Sequence, residues 1–358
     1  MKYALIGCGR ISINHMIAAH NNGLVFVGMC DIDKKHIDIL REKCQFDTSD
    51  IPVFDDFKTM VIQQKPELVA IATESGKHAE IALFCIEHGI NVIIEKPMAM
   101  SVEDAQRIID ESKKHSVKVC VCHQNRFNKA VVCAKRAIDE GRFGKLSHAS
   151  ICVRWNRGKE YYDQAKWRGT WEQDGGTLMN QCIHGIDLLL YLVGSPAKTI
   201  YGQTRQNFHP YLEAEDVGMA VVSFENGCIG TIEGTVNTYP KNLEETLYLF
   251  GEKGTVKIGG TSTNTIEHWA FSDSKDYDDE CSKLFEQTSN VYGNGHTLLY
   301  SDMISAIQNN REPLVSAIEG KKALQIVLAI YKSERDGARV ELPLNHFASL
   351  DMKGYFKK

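Results

Sequence analysis

Two ionisable side chains interrupt an apolar run in the segment NVIIEKPMAM, residues 91–100. Glu95 and Lys96 follow what should be a buried strand, so we expect them at its carboxyl end, where open α/β sheets bind ligands. A lysine there can transfer a proton if burial lowers its pKa, or it can stay charged and stabilise a developing alkoxide. Pro97 restricts the backbone after it and is compatible with a cis peptide bond. The alternative interpretation is a solvated Glu-Lys pair at the end of a strand.

A second candidate lies in the segment DGGTLMNQCIHGIDLLLYLVG, residues 174–194, whose pattern becomes helical after its two glycines. One broad arc of this helix is apolar. The opposite arc is a stripe of Asn180, His184, Asp187 and Tyr191, spaced by four, three and four residues. Histidine is the side chain whose ordinary pKa best suits proton transfer near neutrality. We therefore predict that Lys96 and His184 pair across a cleft between two domains, although a solvent-facing stripe on an amphipathic helix is the simpler interpretation.

The segment RWNRGKEYYDQAKWRGTW, residues 154–171, concentrates three arginines, two tyrosines and three tryptophans. Arginine matches the geometry of phosphate and carboxylate oxygens, and aromatic faces suit sugar or base rings. The pattern is equally compatible with an aromatic loop pinned by salt bridges. Both interpretations stay open on the residues alone.

A cofactor signal stands at the start of the chain. YALIGCGRIS offers Gly7-x-Gly9-x-x-Ser12 between a predicted strand and a predicted helix. The glycines allow a tight turn and the close approach of a pyrophosphate, which the helix N-terminus then binds. The next predicted strand ends at Asp31, whose carboxylate would bind both hydroxyls of an adenine ribose and repel a 2'-phosphate. This favours NAD over NADP, against the alternative of a glycine turn with a surface aspartate.

The elements that must position these residues change along the chain. Apolar strands predicted at 3–6, 25–30, 68–72, 92–94 and 117–122 alternate with helical segments, and Ser101 is the predicted N-cap of one of them. Strands without polar alternation are buried on both faces, which predicts a doubly wound parallel sheet, the Rossmann arrangement.

Beyond residue 125, alternating segments and the Asn226-Gly227 turn predict an open, mostly antiparallel sheet. Two helices are predicted near 297–310 and 318–336. We therefore predict an α/β protein with a Rossmann domain at 1–123 and a second α/β domain at 124–358, which binds substrate and forms oligomers.

Composition excludes several functional classes. The chain has 358 residues, a formal charge of -5 and no long basic run, which argues against nucleic-acid binding. Its start resembles a strand rather than a signal peptide, and its apolar runs are too short to span a bilayer, so we expect a cytoplasmic enzyme. The eleven cysteines suit reduced thiols. Cys120, Cys122 and His123 lack the four characteristically spaced ligands of structural zinc, so we predict no metal.

The segments GCGRIS, TESGKH, IIEKPM, HQNRFN and HGIDLL resemble the Gfo/Idh/MocA oxidoreductase family over most of the chain. Within that family, residues 160–189 and the segments EAEDVG, TYPKNLEETLYLFGEKGTVKIGG and GNGH resemble the WlbA-type enzymes. The resemblance implies an NAD-dependent dehydrogenase that oxidises the 3-hydroxyl of UDP-N-acetylglucosaminuronate (UDP-GlcNAcA) in the biosynthesis of surface polysaccharides such as lipopolysaccharide. It also implies stacking into homodimers or homotetramers.

The resemblance assigns roles residue by residue. Lys96 and His184 match the catalytic lysine and histidine of the family. The implied cofactor-binding residues are Gly7, Gly9, Arg10, Ile11, Asp31, Thr73, Ser75, His78, Glu95, Asn125, Trp167 and Arg168. The implied substrate-binding residues are Lys96, Arg157, Tyr162, Asn180 and His184.

One position departs from the family pattern. Many relatives have an aspartate four residues before the histidine, where this chain has Asn180, an amide that cannot accept a proton in normal catalysis. His184 is therefore our preferred base, with Lys96 polarising the sugar oxygen, and the reverse assignment stays open.

Alternative functions also remain at this point. They are a UDP-N-acetylglucosamine 3-dehydrogenase, another sugar dehydrogenase of the family, and a sensor that binds NAD and nucleotide sugar without turnover. The residues do not report whether NADH is released or recycled in place with 2-oxoglutarate.

Overall fold

Six short apolar strands form one parallel sheet in the computed structural model, which describes residues 1–287 and 295–356. Their order across the sheet is β3-β2-β1-β4-β5-β6. The strands are β1 Lys2–Ile6, β2 Val25–Cys30, β3 Val53–Phe54, β4 Leu68–Ile71, β5 Asn91–Ile94 and β6 Val119–Val121. This order reverses direction between β1 and β4, which is the switch point of a Rossmann sheet. The predicted doubly wound parallel sheet is confirmed, and the short edge strand β3 is an addition to it.

Five helices alternate with these strands along the chain. They are α1 Ser12–Asn21, α2 Lys34–Lys43, α3 Phe57–Gln64, α4 His78–Glu87 and α5 Val102–Lys114. The predicted N-cap of α5 is confirmed, because the Ser101 side chain accepts a hydrogen bond from the Asp104 backbone N–H at 3.0 Å. The four residues of β4 are all fully buried, as expected for strands covered on both faces.

Eight strands form the second sheet, in the order β13-β12-β11-β7-β10-β9-β8-β14. They are β7 Leu146–Arg154, β8 Ala197–Arg205, β9 Val217–Phe224, β10 Ile229–Thr235, β11 Glu244–Gly251, β12 Gly254–Gly259, β13 Thr265–Phe271 and β14 Val340–Glu341. Only the β7–β10 pair is parallel among these strand pairs. The mostly antiparallel sheet is confirmed, and so is the hairpin at Asn226-Gly227, where Gly227 has a φ of +84°.

The remaining helices are α6 Lys129–Asp139, α7 Lys159–Tyr162, α8 Ile183–Val193, α9 Asp278–Ser282, α10 Gly295–Gln308 and α11 Ala317–Asp336. A π-helical turn, Leu178–Cys182, leads directly into α8. Helix α8 packs closely on the second sheet at Gly185, where an added Cβ would stand 2.7 Å from the Ile151 side chain. No helix in the part of the chain that the structure describes is long and apolar enough to cross a bilayer.

The chain divides into two compact units, residues 1–122 with 296–321 and residues 123–295 with 322–358. The sequence assigned all of 124–358 to one domain, whereas 296–321 returns to the first unit. Hydrogen bonds explain this return: Asn22 Nδ2 donates to the Thr297 carbonyl at 3.0 Å, and the Val121 N–H donates to the Val315 carbonyl at 2.9 Å. Such long-range pairing leaves no local signal in the sequence.

Candidate active site

The glycine-rich turn of the first unit has the shape that a dinucleotide requires. Gly7 has a φ of +90°, and an added Cβ would stand 2.5 Å from the Ala72 carbonyl group, so only glycine fits. Ser12 Oγ donates to the Gly9 carbonyl at 2.5 Å and closes the turn. Helix α1 then begins with no acidic residue in its first turn. Its N-terminal N–H groups and partial positive charge therefore suit a pyrophosphate.

Asp31 lies at the end of β2 beside this turn. Its Oδ2 accepts from the Cys8 N–H at 2.8 Å, and its Oδ1 accepts from the Asp33 N–H at 2.9 Å and lies 3.1 Å from His36 Nδ1. These bonds fix the carboxylate at the strand end, where ribose recognition needs it. Arg10 and Ile11 complete the turn, and the side chain of Arg10 is exposed.

Both ring nitrogens of His78 lie near backbone carbonyl groups, one after strand β4 and one after strand β5. Its Nδ1 lies 2.7 Å from the Pro97 carbonyl and its Nε2 lies 3.1 Å from the Thr73 carbonyl. Burial is the main reason that the pKa of His78 is lowered. Ser75 is buried in the adjoining turn, Ser75–Lys77. His78 therefore holds the backbone in place at these two strand ends. This is compatible with the predicted role of Thr73, Ser75 and His78, if the cofactor contacts the backbone there.

Glu95 and Lys96 lie at the carboxyl end of β5, and the Lys96-Pro97 peptide bond is cis. Glu95 is buried, with Oε1 at 3.1 Å from His15 Nε2, and its Oε2 accepts from the Lys96 N–H at 3.2 Å. Lys96 is half-buried. Within the first unit, Glu95 thus bonds to protein groups, and its proposed contact with the dinucleotide stays a prediction.

Sequence reasoning missed the partners of Glu95. His15 lies on α1 and Tyr300 on α10, and their side chains form one hydrogen-bonded series with it. The sequence separations of 80 and 285 residues carry no periodic or motif signal.

His184 lies in the first turn of α8 in the second unit and is 8% exposed. Its ring meets that of His123 edge to face, with centroids 5.6 Å apart. His123 precedes the turn Gln124–Phe127, which contains the buried Asn125. The structure therefore brings His184 beside the segment predicted to line the cofactor.

The polar stripe of this helix is not solvent-facing, which corrects the simpler interpretation of the sequence. Asp187 is 1% exposed and accepts hydrogen bonds from Arg126 Nε at 2.8 Å and from its terminal nitrogen at 2.6 Å. Arg126 also stacks on the Tyr191 ring at 4.4 Å. A buried ionic pair produces the same sequence pattern as a solvated face, because both place polar residues on one side of a helix.

Asn180 and the start of this helix are held by two buried carboxyl groups. Asn180 Nδ2 donates to Asp174 Oδ1, and Asp174 Oδ2 accepts from the Gly169 N–H at 2.7 Å. Glu215 accepts from the Leu178 N–H at 2.8 Å. At Gly176 an added Cβ would stand 1.6 Å from Glu215 Oε2, so a side chain is excluded.

Burial raises the pKa of Glu215 to about 8, which favours its neutral form near pH 7. The sequence did not single out Glu215, although EAEDVG contains it.

One part of the aromatic segment fits the structural interpretation of the sequence, and the ligand-binding interpretation stays a prediction. Trp155 and Trp171 are buried and serve the core. Arg154 forms salt bridges with Glu233 and Glu244, each at 2.6 Å. Arg154, Trp155 and Trp171 therefore have a structural role, because salt bridges and core packing hold them in place.

The other part carries the predicted ligand-binding residues. Arg157 donates to Asn242 Oδ1 at 2.9 Å, and Arg168 donates to the Tyr161 hydroxyl at 2.5 Å and stacks on Trp167 at 4.7 Å. Tyr162 is buried, which raises the pKa of its hydroxyl.

Comparison with known proteins settles the family. Residues 1–123 match the "NAD-binding Rossmann fold" and residues 135–342 the "C-terminal alpha/beta domain" of the Gfo/Idh/MocA oxidoreductases. The chain belongs to the Gfo/Idh/MocA family. It is thus an NAD-dependent oxidoreductase, in agreement with its glycine turn and Asp31. Of the GNGH segment, residues 293–294 lie outside the described residues.

Two WlbA dehydrogenase structures resemble this Gfo/Idh/MocA member over nearly its whole length. The one from Bordetella pertussis, in complex with NADH and UDP-GlcNAcA, is 36% identical with a TM-score of 0.87, covering 96% of this chain and 98% of its own. The one from Chromobacterium violaceum, with the same ligands, has the same identity and TM-score and covers 96% of both chains.

Curated relatives are more distant and more varied. A 2,7-anhydro-N-acetylneuraminate hydratase from Mediterraneibacter gnavus is 23% identical over 95% of this chain and 96% of its own. A D-glucoside 3-dehydrogenase from Escherichia coli is 25% identical over 96% of this chain and 97% of its own. Family membership therefore defines the cofactor more closely than the substrate.

Proposed function

We propose that this protein is an NAD-dependent sugar dehydrogenase that oxidises the 3-hydroxyl of a UDP-sugar, with UDP-GlcNAcA as the preferred substrate. One observation carries the substrate assignment: the two WlbA enzymes that bind UDP-GlcNAcA are 36% identical to this chain. A levoglucosan dehydrogenase structure has a similar TM-score of 0.81 but only 20% identity, which speaks to the fold alone.

The proposed chemistry divides proton and hydride between separate groups. NAD, when bound at the glycine turn and Asp31, supplies the hydride acceptor. Lys96 donates a hydrogen bond to the reacting hydroxyl oxygen and stabilises the negative charge that develops there. His184 removes the hydroxyl proton as the carbon–hydrogen bond breaks. Asn180 keeps its amide oriented through Asp174 and offers a hydrogen bond to the sugar rather than a second base.

Arg168 supports an anionic substrate. It is half-buried, and in residues 1–287 and 295–356 no carboxylate lies within ion-pair range of its guanidinium, whose donors instead meet Tyr161 and two aromatic rings. A half-buried guanidinium without a carboxylate partner favours an anionic ligand, and a diphosphate or a sugar carboxylate would fit it. Arg157 is the second arginine proposed for this role.

The decisive test is NADH formation, followed by absorbance, with UDP-GlcNAcA, UDP-N-acetylglucosamine and other UDP-sugars. We expect UDP-GlcNAcA to give the highest kcat/KM, with the product oxidised at carbon three by NMR. A neutral sugar that reacts better would replace the substrate assignment. NAD binding without turnover on any sugar would instead indicate a sensor. Adding 2-oxoglutarate shows whether NADH leaves the enzyme or is recycled in place.

Substitution tests the site. Lys96→Ala and His184→Ala should each lower kcat by about 100-fold or more, the usual contribution of an acid–base group, while NAD binding measured by fluorescence is kept. Lys114→Ala removes an exposed lysine on α5 and should leave kcat unchanged. Near-normal turnover in both site variants would refute the assignment.

A further inference from the structure

A buried histidine of the second unit joins a loop to the segment that carries the predicted substrate residues. His209 lies in the loop between β8 and β9 and is 6% exposed. Its Nε2 lies 2.7 Å from the Arg157 carbonyl oxygen, and its Nδ1 lies 3.0 Å from Asp216 Oδ2. Its ring also lies against the Tyr162 ring, with centroids 5.7 Å apart. His209 therefore touches both Arg157 and Tyr162, and sequence reasoning did not single it out.

The carboxyl group of Asp216 is fully buried and surrounded by donors. It accepts hydrogen bonds of 2.7 to 3.1 Å from the main-chain N–H groups of Asn207, Phe208 and His209, and one of 3.0 Å from Asn237 Nδ2. Donors on both oxygens favour the ionised form, because a protonated oxygen would have to donate as well. Burial opposes ionisation, but the bonds from His209 and from these N–H groups outweigh it and lower the pKa of Asp216.

Both ring nitrogens of His209 therefore face groups that can only accept. An ionised carboxylate and a backbone carbonyl have no hydrogen to donate. A neutral imidazole carries one N–H, so the lone pair of its other nitrogen would point at an oxygen 2.7 or 3.0 Å away. An imidazolium ion donates to both oxygens. Burial opposes this charge, but the bonds to Asp216 and to the Arg157 carbonyl outweigh it and raise the pKa of His209.

The tyrosines around the ring add no charge. Tyr211 lies with its ring centroid 5.6 Å from that of His209, and Tyr162 lies on another side of the loop contact. Burial raises the pKa of both hydroxyls, so both stay neutral near pH 7. The ammonium group of Lys159 is 5.7 Å from the Tyr211 ring centroid and would oppose a second cation. Asp216 is therefore the counter-ion of His209.

The bond from His209 is one of two that fix the backbone of Arg157. The Arg157 N–H donates to the Val236 carbonyl at 3.1 Å, and the Arg157 carbonyl accepts from His209. The guanidinium group donates to Asn242 Oδ1 at 2.9 Å and stacks on the Trp155 ring at 4.8 Å. Loss of the proton from His209 would leave the Arg157 carbonyl facing a lone pair, which disfavours this backbone position.

We propose that His209 is a charged positioning residue that holds Arg157 in place for the anionic part of the nucleotide sugar. The inference deepens the proposed function and rests on it for the role of Arg157. Asp216 keeps the imidazolium ion in place, and the donated hydrogen bond aligns the arginine. Affinity for the nucleotide sugar should therefore fall as pH rises and His209 loses its proton.

The charge of His209 can be measured without any sugar. Nitrogen-15 NMR of the wild-type protein, with the His209 signals assigned from their absence in His209→Gln, reports whether each ring nitrogen carries a hydrogen. We expect both to be protonated at about pH 7, and a pH titration then gives the midpoint at which one proton is lost. A spectrum with one unprotonated ring nitrogen at that pH would overturn the proposal.

Calorimetry then tests the effect on binding, with UDP-GlcNAcA added to the protein in its NADH form, which cannot oxidise the sugar. In the wild type the Kd should rise by about tenfold as pH passes the NMR midpoint, the usual contribution of a hydrogen bond to a charged group. His209→Gln and Arg157→Ala should bind more weakly and lose this pH dependence, because His209 acts through Arg157. The matched control is His115→Gln, which removes a partly exposed pair with Glu111 on α5 and should bind as the wild type does.

The two failures can be told apart. A wild-type Kd that is flat across the NMR midpoint, or a rise that persists in Arg157→Ala, would show that His209 does not position the arginine. Coincidence of the two midpoints is measured on the wild type, so it counts even if His209→Gln does not fold. Absence of UDP-GlcNAcA binding at every pH would instead refute the proposed substrate, and the NMR spectrum would still decide the charge of His209.

Discussion

Asp187→Asn is expected to destabilise the second unit by about 3–5 kcal/mol, the usual cost of breaking a buried ion pair. The pair is nearly inaccessible to water: the side chains of Arg126 and Asp187 are 2% and 1% exposed. The neutral amide cannot compensate the guanidinium, whose two hydrogen bonds to the carboxylate, 2.8 and 2.6 Å long, are charge-assisted. His184 lies one turn earlier on the same helix, so a looser α8 should also lower turnover.

Tryptophan fluorescence during urea unfolding is a selective assay for this loss. The chain has four tryptophans, at 155, 167, 171 and 269, and all of them lie in the second unit. Glu341→Gln, which breaks an exposed pair with Arg339 in the same unit, is the control and should cost no more than about 0.5 kcal/mol. The double variant Arg126→Met with Asp187→Leu should recover most of the lost stability, because apolar replacements avoid the desolvation of two charges. A loss of less than about 1 kcal/mol in Asp187→Asn would refute the reasoning.

Three further predictions concern other groups. Asp31→Ala should weaken NAD binding by about 10-fold to 100-fold, which is the usual contribution of charged hydrogen bonds. It should also reduce the ratio of NAD affinity to NADP affinity, which titration with both cofactors would measure. Burial raises the pKa of Glu245 to about 8. The stabilisation that the protonated carboxyl group contributes is therefore complete below its unfolded pKa of 4.5 and is lost as pH rises through about 8. Glu245→Gln should remove this pH dependence of stability in urea titrations. Burial alone would lower the pKa of His209, but bonds to Asp216 and to the Arg157 carbonyl raise it, so its contribution is complete below pH 6.5 and is lost as pH rises through the folded-state pKa. His209→Gln should show a flatter stability curve above pH 6.5.

The sequence predicted the local parts of this protein well. Uninterrupted apolar strands identified the parallel sheet, and Asn226-Gly227 identified a hairpin, because each feature follows from neighbouring residues. The placement of Gly7 and Asp31 beside each other was predictable for the same reason, since strand, turn and carboxylate are consecutive in a Rossmann unit, and their contact with NAD stays a prediction.

What the sequence could not predict depends on distant pairing. The return of residues 296–321 to the first unit, the buried Arg126–Asp187 pair and the contact of His15 with Glu95 join positions far apart in the chain. Polarity alone misled the interpretation of α8, because a stripe of polar residues looks the same whether water or an arginine faces it. Only the fold shows which of the two it is.

Both candidate catalytic residues stand next to buried ionic anchors, and this arrangement costs stability. Glu95 would be less expensive to bury as an amide, and the Arg126–Asp187 pair could be replaced by apolar side chains. Retaining the charges is reasonable if they act on the reaction, because a fixed field around the reacting hydroxyl needs no reorganisation when charge develops there. The proposed division of roles is consistent with this: buried Glu95 fixes the strand end that carries Lys96, and the Arg126–Asp187 pair anchors the helix that carries His184. An enzyme in which these charged anchors were mobile would have to reorganise their charges during each turnover.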